Sequence, residues 1–401
     1  MDYILSDRVQ KVKPSPTLAV TQKATELRAA GHQIIGFGAG EPDFDTPDHI
    51  KKAGQSAIDQ GKTRYTPVGG TVELKLAIQR KFKTENNLDY KLDEILVSCG
   101  GKHTIYNLIM AIINDGDEVL IPAPYWVSYP DMALLAGGKP VFIDAKIDAD
   151  FKITAEQLEA HITPKTKLLI FNSPSNPTGA CYSKEEMLAL CKVLKKHPHV
   201  MILSDDIYEH LIYDNLTFHT IASICPELKD RTITMNGVSK AYAMTGWRIG
   251  YCGGPTPIIK AMQKIQSQST SNPCSVSQAA ATEALSGPQD FIKTNKALFQ
   301  KRRDLIVNLI NDCEGLNCPK PNGAFYVYPD CSALIGKKTP KGETISSDKD
   351  LSEYFLTEYH VALVLGEAFG SSPNIRISYA LGEDDIIEGC KRIKEACANL
   401  R

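Results

Sequence analysis

The chain has 401 residues, 23% of them charged, and a formal net charge of −2 at pH 7. This length predicts two or three structural units, and the balanced charge excludes a strongly basic surface for nucleic acid. No stretch approaches the roughly 20 apolar residues of a membrane helix, and the polar amino terminus does not resemble a secretory signal. The eleven cysteines lack paired spacing, which predicts reduced thiols, no metal site and a cytoplasmic location.

The amino-terminal part contains a glycine-rich stretch, residues 34–41, which follows an extended Pro14-Ser15-Pro16 segment and a helix-like run over residues 18–30. The dinucleotide-binding loop of a nicotinamide oxidoreductase requires a helix directly after its glycines. Here Glu41-Pro42 continues as a turn, so that function is not favoured. We instead interpret Gly40 as a position where the backbone approaches a ligand closely, which a residue without a side chain allows.

Seven short apolar runs alternate with helical patterns from residue 94 onwards. They are Ile95–Ser98, Glu118–Ile121, Pro140–Ile143, Leu168–Phe171, Val200–Leu203, Thr232–Met235 and Arg248–Cys252. This alternation predicts an α/β fold with a mostly parallel sheet that helices cover on both faces. In sheets of this kind, ligands bind beyond the carboxyl ends of the strands.

Distinctive polar and aromatic residues follow five of these runs. They are, in chain order, Gly100, Gly101 and Lys102, then Trp126, Asn176, Asp205 with Tyr208, and Lys240. The carboxyl ends of parallel strands meet at one edge of a sheet. We therefore expect these residues to surround a single site.

Lys240 combines with Arg248 to indicate the chemistry of that site. The lysine lies in a small, weakly polar segment just after an apolar run, where partial desolvation disfavours the ammonium form. The neutral amine is the nucleophile that covalent chemistry with a carbonyl cofactor requires. Eight residues later, Arg248 supplies a cation that can hold a phosphate through two hydrogen bonds.

The pattern changes after about residue 287. A long charged helix over residues 291–310 leads to an alternating strand over 322–327 and a strand-like run over 374–379, which predicts a smaller α+β domain. Arg376 interrupts that last apolar run, and a guanidinium there is costly unless it pairs with an anion. A bound carboxylate and an internal carboxylate both satisfy this requirement, and we favour the ligand.

The Ser239-Lys240 pair, a gap of seven residues and then Arg248-Ile249-Gly250 resemble the lysine segment of fold-type I aminotransferases, which use pyridoxal 5′-phosphate (PLP). Matching motifs follow in the same order from about Ser15 to Arg376, so the resemblance covers nearly the whole chain. It implies a large PLP-binding domain with a seven-stranded sheet and a smaller domain that the amino-terminal arm joins. The implied boundaries are 1–48 for the arm, 49–287 for the large domain and 288–401 for the small domain.

The resemblance implies how the cofactor is held. Lys240 would tether PLP covalently and later move the proton at the reacting carbon. Arg248 would bind the phosphate together with Gly100 and Gly101, whose amides open a helix. Without the resemblance, the two glycines are equally compatible with a simple tight turn.

Four further cofactor contacts are implied by position in the family motifs. Asp205 would keep the pyridine nitrogen protonated, and Tyr208 and Asn176 would donate hydrogen bonds to the phenolic oxygen. Trp126 would stack on the ring, and with Asn176 it would also contact the substrate. Taken alone, these residues are typical of a helix cap, a turn and a core side chain.

Substrate and partner contacts complete the implied site. Arg376 would bind the α-carboxylate of the substrate, with the backbone of Gly40 approaching the same group. Tyr65 matches the tyrosine with which each subunit of the family's dimers contacts the cofactor phosphate bound in the other subunit. The resemblance therefore implies a homodimer as the active unit.

Two departures concern the aspartate aminotransferases within the family. Gly237 stands three residues before Lys240, where some of them carry a phosphate-binding serine. They also use an arginine of the neighbouring subunit for the side-chain carboxylate, but no arginine occurs between Arg248 and Arg302. A bacterial-type subgroup reads acidic substrates with other groups, and Lys102, Ser15 and Thr17 are our candidates. Alternatively, Lys102 contacts only phosphate or solvent.

The sequence therefore predicts a PLP-dependent aminotransferase that moves the amine of aspartate to 2-oxoglutarate in two half-reactions. Other amine donors or acceptors remain open, namely aromatic amino acids, prephenate or alanine, and so does a PLP-dependent lyase. A regulatory protein that reuses the fold is not favoured, because no basic helix-turn-helix precedes Ser15.

Overall fold

The computed structural model describes residues 3–14 and 16–401. The helices are α1 (Asp7–Gln10), α2 (Pro16–Ala29), α3 (Asp48–Asp59), α4 (Val72–Asn86), α5 (Gly101–Ile112), α6 (Ser128–Leu135), α7 (Ala155–His161), α8 (Lys184–Lys196), α9 (Ile221–Ile224), α10 (Thr256–Ser269), α11 (Ser275–Ser286), α12 (Asp290–Asn311), α13 (Asp348–Tyr359) and α14 (Glu383–Ala398). The strands are β1 (Ile35–Gly36), β2 (Ile95–Ser98), β3 (Glu118–Ala123), β4 (Lys139–Asp144), β5 (Thr166–Asn172), β6 (Met201–Asp205), β7 (Thr232–Gly237), β8 (Gly250–Gly253), β9 (Tyr326–Val327), β10 (Val361–Ala362), β11 (Val364–Leu365) and β12 (Ile375–Ser378).

A seven-stranded sheet in the order β2-β8-β7-β6-β5-β3-β4 forms the centre of the larger part of the fold. Strand β8 is antiparallel to both of its neighbours, and the remaining pairs are parallel. This arrangement confirms the predicted α/β fold and its mostly parallel sheet. The carboxyl ends of β2, β3, β5, β6 and β7 therefore lie at one edge of the sheet. The polar residues predicted to form the site come after these strand ends in the chain.

Helices cover both faces of this sheet, as alternating strand residues show. On β5, Leu168 belongs to the cluster that contains apolar residues of α5, whereas Leu169 belongs to the cluster that contains those of α8. On β6, Leu203 belongs to the cluster with α5 and Ile202 to the cluster with α8. Successive strand side chains point to opposite faces, so both faces are buried and the runs read as continuously apolar.

The carboxyl-terminal part packs around a three-stranded antiparallel sheet in the order β11-β12-β9. One apolar cluster joins residues of α12, β12 and α14, including Phe299, Ile377 and Ile393. Strand β1 pairs in parallel with β10, so residues early in the chain join this part. The predicted boundary at residue 287 falls between α11 and α12, and the predicted domain limits stay predictions.

Two strand boundaries differ from the sequence interpretation. The strand predicted over residues 322–327 is limited to Tyr326–Val327, because Gly323 and Ala324 instead bond with the segment around Leu211. Arg248 lies before β8, with a left-handed φ of 56°. Within the described ranges, no helix combines the length and the apolarity that a membrane span requires.

Candidate active site

A cavity of about 450 Å³ opens at the carboxyl edge of the large sheet, where it meets the carboxyl-terminal part of the chain. This volume is within the range of small-molecule and cofactor sites. Ten of the residues singled out from the sequence line it: Gly40, Gly101, Lys102, Trp126, Asn176, Asp205, Tyr208, Lys240, Arg248 and Arg376. They come from positions as far apart as 40 and 376, so only the fold brings them together. We call this cavity the cleft.

Lys240 lies inside the cleft, just beyond the end of β7. Its ammonium group donates a hydrogen bond to the Gly40 carbonyl oxygen. Burial, and after it the positive charge of Arg376, lower the pKa of Lys240 to about 8. A minor fraction of the side chain is therefore the neutral, nucleophilic amine near neutral pH.

Asp205 ends β6 and places a buried carboxylate in the cleft. It accepts a 2.6 Å hydrogen bond from the Tyr129 hydroxyl, and burial raises its pKa to about 6. No cation of the described residues lies within ion-pair distance of it. A buried carboxylate of this kind is suited to a cationic partner such as a protonated ring nitrogen. The neighbouring Asp206 carboxylate accepts instead from the Ser204 hydroxyl at 2.7 Å.

Tyr208 and Asn176 face the cleft from two other loops. The hydroxyl of Tyr208 lies 2.9 Å from that of Tyr326, and burial raises the pKa of Tyr208 well above its usual value. The Asn176 amide nitrogen of the backbone donates to Asn172 Oδ1 at 2.9 Å, and the Asn172 side chain donates to the carbonyl of Asp205 at 2.9 Å. The loops after β5 and β6 are thus fixed relative to each other.

Arg376, on β12, is the buried cation at the opposite wall. Its guanidinium donates to Asn176 Oδ1 at 3.0 Å and to the Gly38 carbonyl at 2.8 Å, and it lies 4.6 Å from the ring centroid of Tyr326. Its Nε is buried without a hydrogen-bond partner. No carboxylate of the described residues pairs with it. The internal carboxylate considered from the sequence is therefore absent among them, and the unsatisfied cation is suited to an anionic ligand.

A third group of residues forms a phosphate-sized corner of the cleft. Helix α5 begins at Gly101, so its free amides and positive dipole end are available to an anion. A Cβ at Gly100 would lie 2.3 Å from Nη2 of Arg248, and Gly100 has a φ of 89°. Only glycine therefore fits beneath this guanidinium. Ser239 also lines the cleft and adds a hydroxyl group.

Lys102 and Trp126 line the cleft next to this corner. The Lys102 ammonium lies 5.0 Å from the ring centroid of Trp126, within the range of a cation–π contact. Burial lowers the pKa of Lys102, and the charge of Arg248 lowers it further. Asp131 acts on Lys102 in the opposite direction, but no carboxylate of the described residues bonds to Lys102 or Arg248. These two neighbouring cations create a positive region that favours anions.

Three further predicted site residues are Tyr65, Thr17 and Ser15, and of these only Tyr65 has a described side chain. Tyr65 is 91% exposed and is not among the residues that line the cleft. Thr17 belongs to α2, but its side chain is not described, and Ser15 lies outside the described residues. Tyr129, Asn172 and Tyr326 also line the cleft, but they were not predicted from the sequence. Tyr129 had one available signal, because it lies three residues after Trp126 at the start of a helical pattern.

The donor set fits PLP on the observations above. The corner formed by the α5 amides and Arg248 is suited to a phosphate, the carboxylate of Asp205 to a cationic ring nitrogen, and the low-pKa amine of Lys240 to a carbonyl carbon. The Nε of Arg376, which has no hydrogen-bond partner among the described residues, is available to bind a carboxylate of the substrate.

Comparisons with known proteins agree with this arrangement. The model of the family described as aminotransferase class I and II matches residues 32–393. An aspartate/prephenate aminotransferase of Cereibacter sphaeroides is 59% identical over 99% of both chains. A crystal structure of an aspartate aminotransferase from Rhizobium meliloti superposes with a TM-score of 0.97 at 50% identity and covers 100% of both chains. An aspartate aminotransferase from Thermus thermophilus with maleate gives a TM-score of 0.92 at 40% identity, covering 98% of this chain and 100% of that one.

Proposed function

The chain belongs to the aminotransferase class I and II family, and from this premise we propose that it moves the amine of aspartate to 2-oxoglutarate, giving oxaloacetate and glutamate. The family uses PLP. The observation that carries the proposal is the buried guanidinium of Arg376, which faces Lys240 across the cleft region without any carboxylate partner among the described residues. An amino acid supplies the missing carboxylate and presents its amine beside Lys240.

The cofactor is held by the residues that already converge in the cleft. Lys240 would hold it covalently, and Gly100, Gly101 and Arg248 would bind its phosphate. Asp205 would face the ring nitrogen.

Three side chains complete the proposed ring contacts. Tyr208 and Asn176 would donate to the phenolic oxygen, and Trp126 would stack on the ring. Trp126 and Asn176 would also contact the substrate. When bound, PLP supplies an electron-withdrawing ring that stabilises the charge left on the substrate Cα after its proton departs.

Lys240 has the proton-transfer role in this proposal. Its pKa of about 8 leaves a neutral fraction near pH 7, so Nζ, once freed from the cofactor, can take the proton from the substrate Cα and deliver it to the C4′ carbon of the cofactor. Arg376 holds the α-carboxylate through two hydrogen bonds and thereby fixes which bond to Cα is directed towards Lys240. The backbone of Gly40 borders the same carboxylate, and its carbonyl accepts from Lys240.

We assign the distal carboxylate of aspartate to Lys102, with Ser15 and Thr17 from the amino-terminal arm. The support from the described residues is the cation of Lys102 beside Trp126 at the wall of the cleft. Relatives named for aspartate, including the one with maleate, point to a dicarboxylic substrate.

Prephenate is the second acceptor we propose. The relative with 59% identity is named an aspartate/prephenate aminotransferase. Prephenate also carries two carboxylates, so the same cations could bind it. Aromatic amino acids, alanine and a lyase reaction are weaker candidates, because none of them explains a second cation at the wall of the cleft.

We propose a homodimer in which Tyr65 reaches the phosphate of the partner. The support is that Tyr65 is 91% exposed and does not line the cleft of its own chain. We also propose a cytoplasmic location, which the eleven unpaired cysteines favour. The arm (1–48), large domain (49–287) and small domain (288–401) remain our proposed division of the chain.

The test is a half-reaction titration of the purified holoenzyme. Aspartate, glutamate, phenylalanine or alanine is added, and the visible absorption of the bound cofactor is followed. The proteins compared are the wild type, Lys102→Ala and the control Lys391→Ala, which changes an exposed lysine. Aspartate should convert the cofactor at the lowest concentration, and Lys102→Ala should weaken this about 10-fold or more, as expected for loss of a hydrogen bond to a charged group.

Prephenate is then added to the aminated enzyme to test the second acceptor. Conversion by phenylalanine or alanine at concentrations equal to aspartate would overturn the dicarboxylate assignment. A protein that binds PLP but that no amino acid converts would overturn the transamination proposal itself.

A further inference from the structure

The segment that carries Tyr65 is held against the large sheet although Tyr65 itself is exposed. We define the Tyr65 segment as residues 64–71. The Val97 amide donates to the Gly69 carbonyl at 3.0 Å. A Cβ at Gly70 would lie 2.6 Å from Cγ2 of Val97, and Gly70 has a φ of 105°. The segment therefore lies flat on β2, with no room for a side chain between them.

Gln278, near the start of α11, hydrogen-bonds to Thr66, the residue next to Tyr65. It is completely buried, and its Nε2 donates to the Thr66 hydroxyl at 3.0 Å and to the Pro273 carbonyl at 2.9 Å. Its Oε1 accepts from the Thr71 amide at 2.8 Å. One side chain thus binds both ends of the Tyr65 segment.

Gln266, on α10, joins the same segment to the phosphate corner. Its Nε2 donates to the carbonyls of Val68 at 2.7 Å and Val97 at 2.9 Å. Its Oε1 accepts from the Ser98 hydroxyl at 2.7 Å and from Asn107 Nδ2 at 3.0 Å. All hydrogen-bonding groups of this buried amide are satisfied. Ser98 ends β2 two residues before Gly100, so the Tyr65 segment and the α5 amide corner share one anchor.

Two buried amides are a costly way to fix a surface turn, because burial of an amide is unfavourable unless every bond is made. Both glutamines hydrogen-bond to the Tyr65 segment, and the aromatic side chain of that segment, Tyr65, is exposed. We propose that Gln278 and Gln266 are positioning residues for Tyr65, which preorganise its phenol to bind the phosphate of PLP in the partner subunit. The inference rests on the proposed homodimer and deepens it by assigning residues remote from the cleft to cofactor affinity.

Preorganisation explains why such an anchor affects binding. An exposed side chain on a mobile turn loses conformational freedom when it engages a ligand, and that loss weakens the complex. A backbone already held by Gln278 and Gln266 avoids most of this cost. The effect should be specific to ligands that carry a phosphate, because the proposed contact of Tyr65 is with the phosphate alone.

The experiment measures the affinity of cofactor-depleted protein for two probes, PLP and pyridoxal, which lacks the phosphate. The variants are Tyr65→Phe, Gln278→Met, Thr66→Val and the double variants that combine each of the last two with Tyr65→Phe. Thr66→Val removes only a partly exposed hydroxyl, so it tests the anchor even where Gln278→Met folds poorly. Gln289→Met is the matched control, because Gln289 donates only to Ala284 and Gly287.

Tyr65→Phe is expected to weaken PLP binding about 10-fold, as for a hydrogen bond to a charged group. Gln278→Met and Thr66→Val should weaken it roughly 3- to 10-fold by the same reasoning, and neither should weaken it further when Tyr65 is already phenylalanine. Pyridoxal binding and the Gln289→Met control should stay unchanged.

Three results would count against the inference in different ways. Full PLP affinity in both Gln278→Met and Thr66→Val, with a loss in Tyr65→Phe, overturns the positioning role and leaves the proposed dimer contact intact. Losses that persist in the Tyr65→Phe background, or that extend to pyridoxal, show that the glutamine acts through general stability. Unchanged affinity in Tyr65→Phe overturns the dimer contact itself.

Discussion

Lys240 and Arg376 are two cations that share one buried cleft, and the charge of Arg376 disfavours the charged form of Lys240. Arg376 is the largest charged contributor to the lowered pKa of Lys240, after burial itself. Burial also lowers the pKa of Arg376, but a guanidinium remains charged because its ordinary pKa is so high. The lysine is therefore the one of the two that loses its proton more readily, which suits a nucleophile and proton carrier.

The reaction of cofactor-free protein with pyridoxal should reveal this pKa. Below pH 8 Lys240 is mostly ammonium and unreactive, so the rate should rise with pH and level off above about 8. In Arg376→Met a neighbouring positive charge is lost, so the pKa of Lys240 should rise and the whole profile should move to higher pH.

Stopped-flow absorbance across a pH series measures this profile. Arg392→Met, which removes an arginine that donates to Glu388 and the Gln33 carbonyl, serves as the control and should leave it in place. A profile for Arg376→Met that stays fixed or moves to lower pH would contradict the electrostatic coupling.

At the scale of elements, a buried polar network holds the loop after β6 against α4 and β7. The Glu209 carboxylate, next to Tyr208, accepts from the Lys81 ammonium, from Asn86 Nδ2 at 2.7 Å and from Asn236 Nδ2 at 2.7 Å. Lys81 and Glu209 are 2% and 7% exposed, so neither charge is stabilised by bulk water. Burial alone would raise the pKa of Glu209, but Lys81, His210 and Asn86 lower it overall, so the carboxylate stays ionised.

Removing one partner of this pair should destabilise the protein strongly. Lys81→Met leaves the Glu209 carboxylate buried without its cation, a change that typically costs about 3–5 kcal/mol. The double variant Lys81→Met with Glu209→Gln removes both charges and should recover much of that loss.

Urea unfolding of the holoenzyme at a fixed protein concentration measures both effects. Lys301→Ala breaks the exposed pair with Glu383 and should leave the unfolding midpoint nearly unchanged. A double variant no more stable than Lys81→Met would show that charge burial is not the cause.

For the whole molecule, the connection between the two parts of the chain passes over the reactive lysine. We define the connecting segment as residues 37–47, between β1 and α3. Its Gly38 carbonyl accepts from Arg376 at 2.8 Å, and the Thr46 hydroxyl donates to the Ala243 carbonyl at 2.6 Å. Asp43 accepts two hydrogen bonds from Arg302 on α12, at 2.7 and 2.9 Å. The segment thus bonds to the small sheet, to the loop between β7 and β8, and to α12.

Loosening this segment should weaken substrate binding more than cofactor binding. Asp43→Asn cannot maintain the two-pronged ion pair with Arg302, so the Gly38 contact that supports Arg376 becomes less well ordered. The aspartate concentration for half-conversion should rise roughly 3- to 10-fold, a loss of about 1 kcal/mol. PLP affinity should hardly change.

Asp45→Asn is the control within the same segment, since the Asp45 side chain is 97% exposed. The half-reaction titration and PLP binding are measured on both variants. An equal loss in the two, or a loss confined to PLP, would exclude this role of the connecting segment.

The sequence alone determined the sheet and the chemistry, because both depend on local patterns. Seven apolar runs predicted seven strands, all of which form. Gly100 and Lys240 come shortly after the ends of β2 and β7, where covalent spacing limits how far a side chain can move from the edge of the sheet. Arg248 was identified by its spacing from Lys240 along the chain. The need of Arg376 for an anion likewise follows from one charged residue in an apolar run.

Only the tertiary structure decided which side chains support these groups. Tyr129 and Asp205 are 76 positions apart, and Tyr208 and Tyr326 are 118 apart. Such contacts leave no periodic trace in a sequence, because any buried hydroxyl can satisfy its hydrogen bond with many partners. Gln266 and Gln278 are similar, since a glutamine in a helix usually faces water. Their roles arise from packing, which brings distant segments to hydrogen-bonding distance and excludes the water that would otherwise replace them.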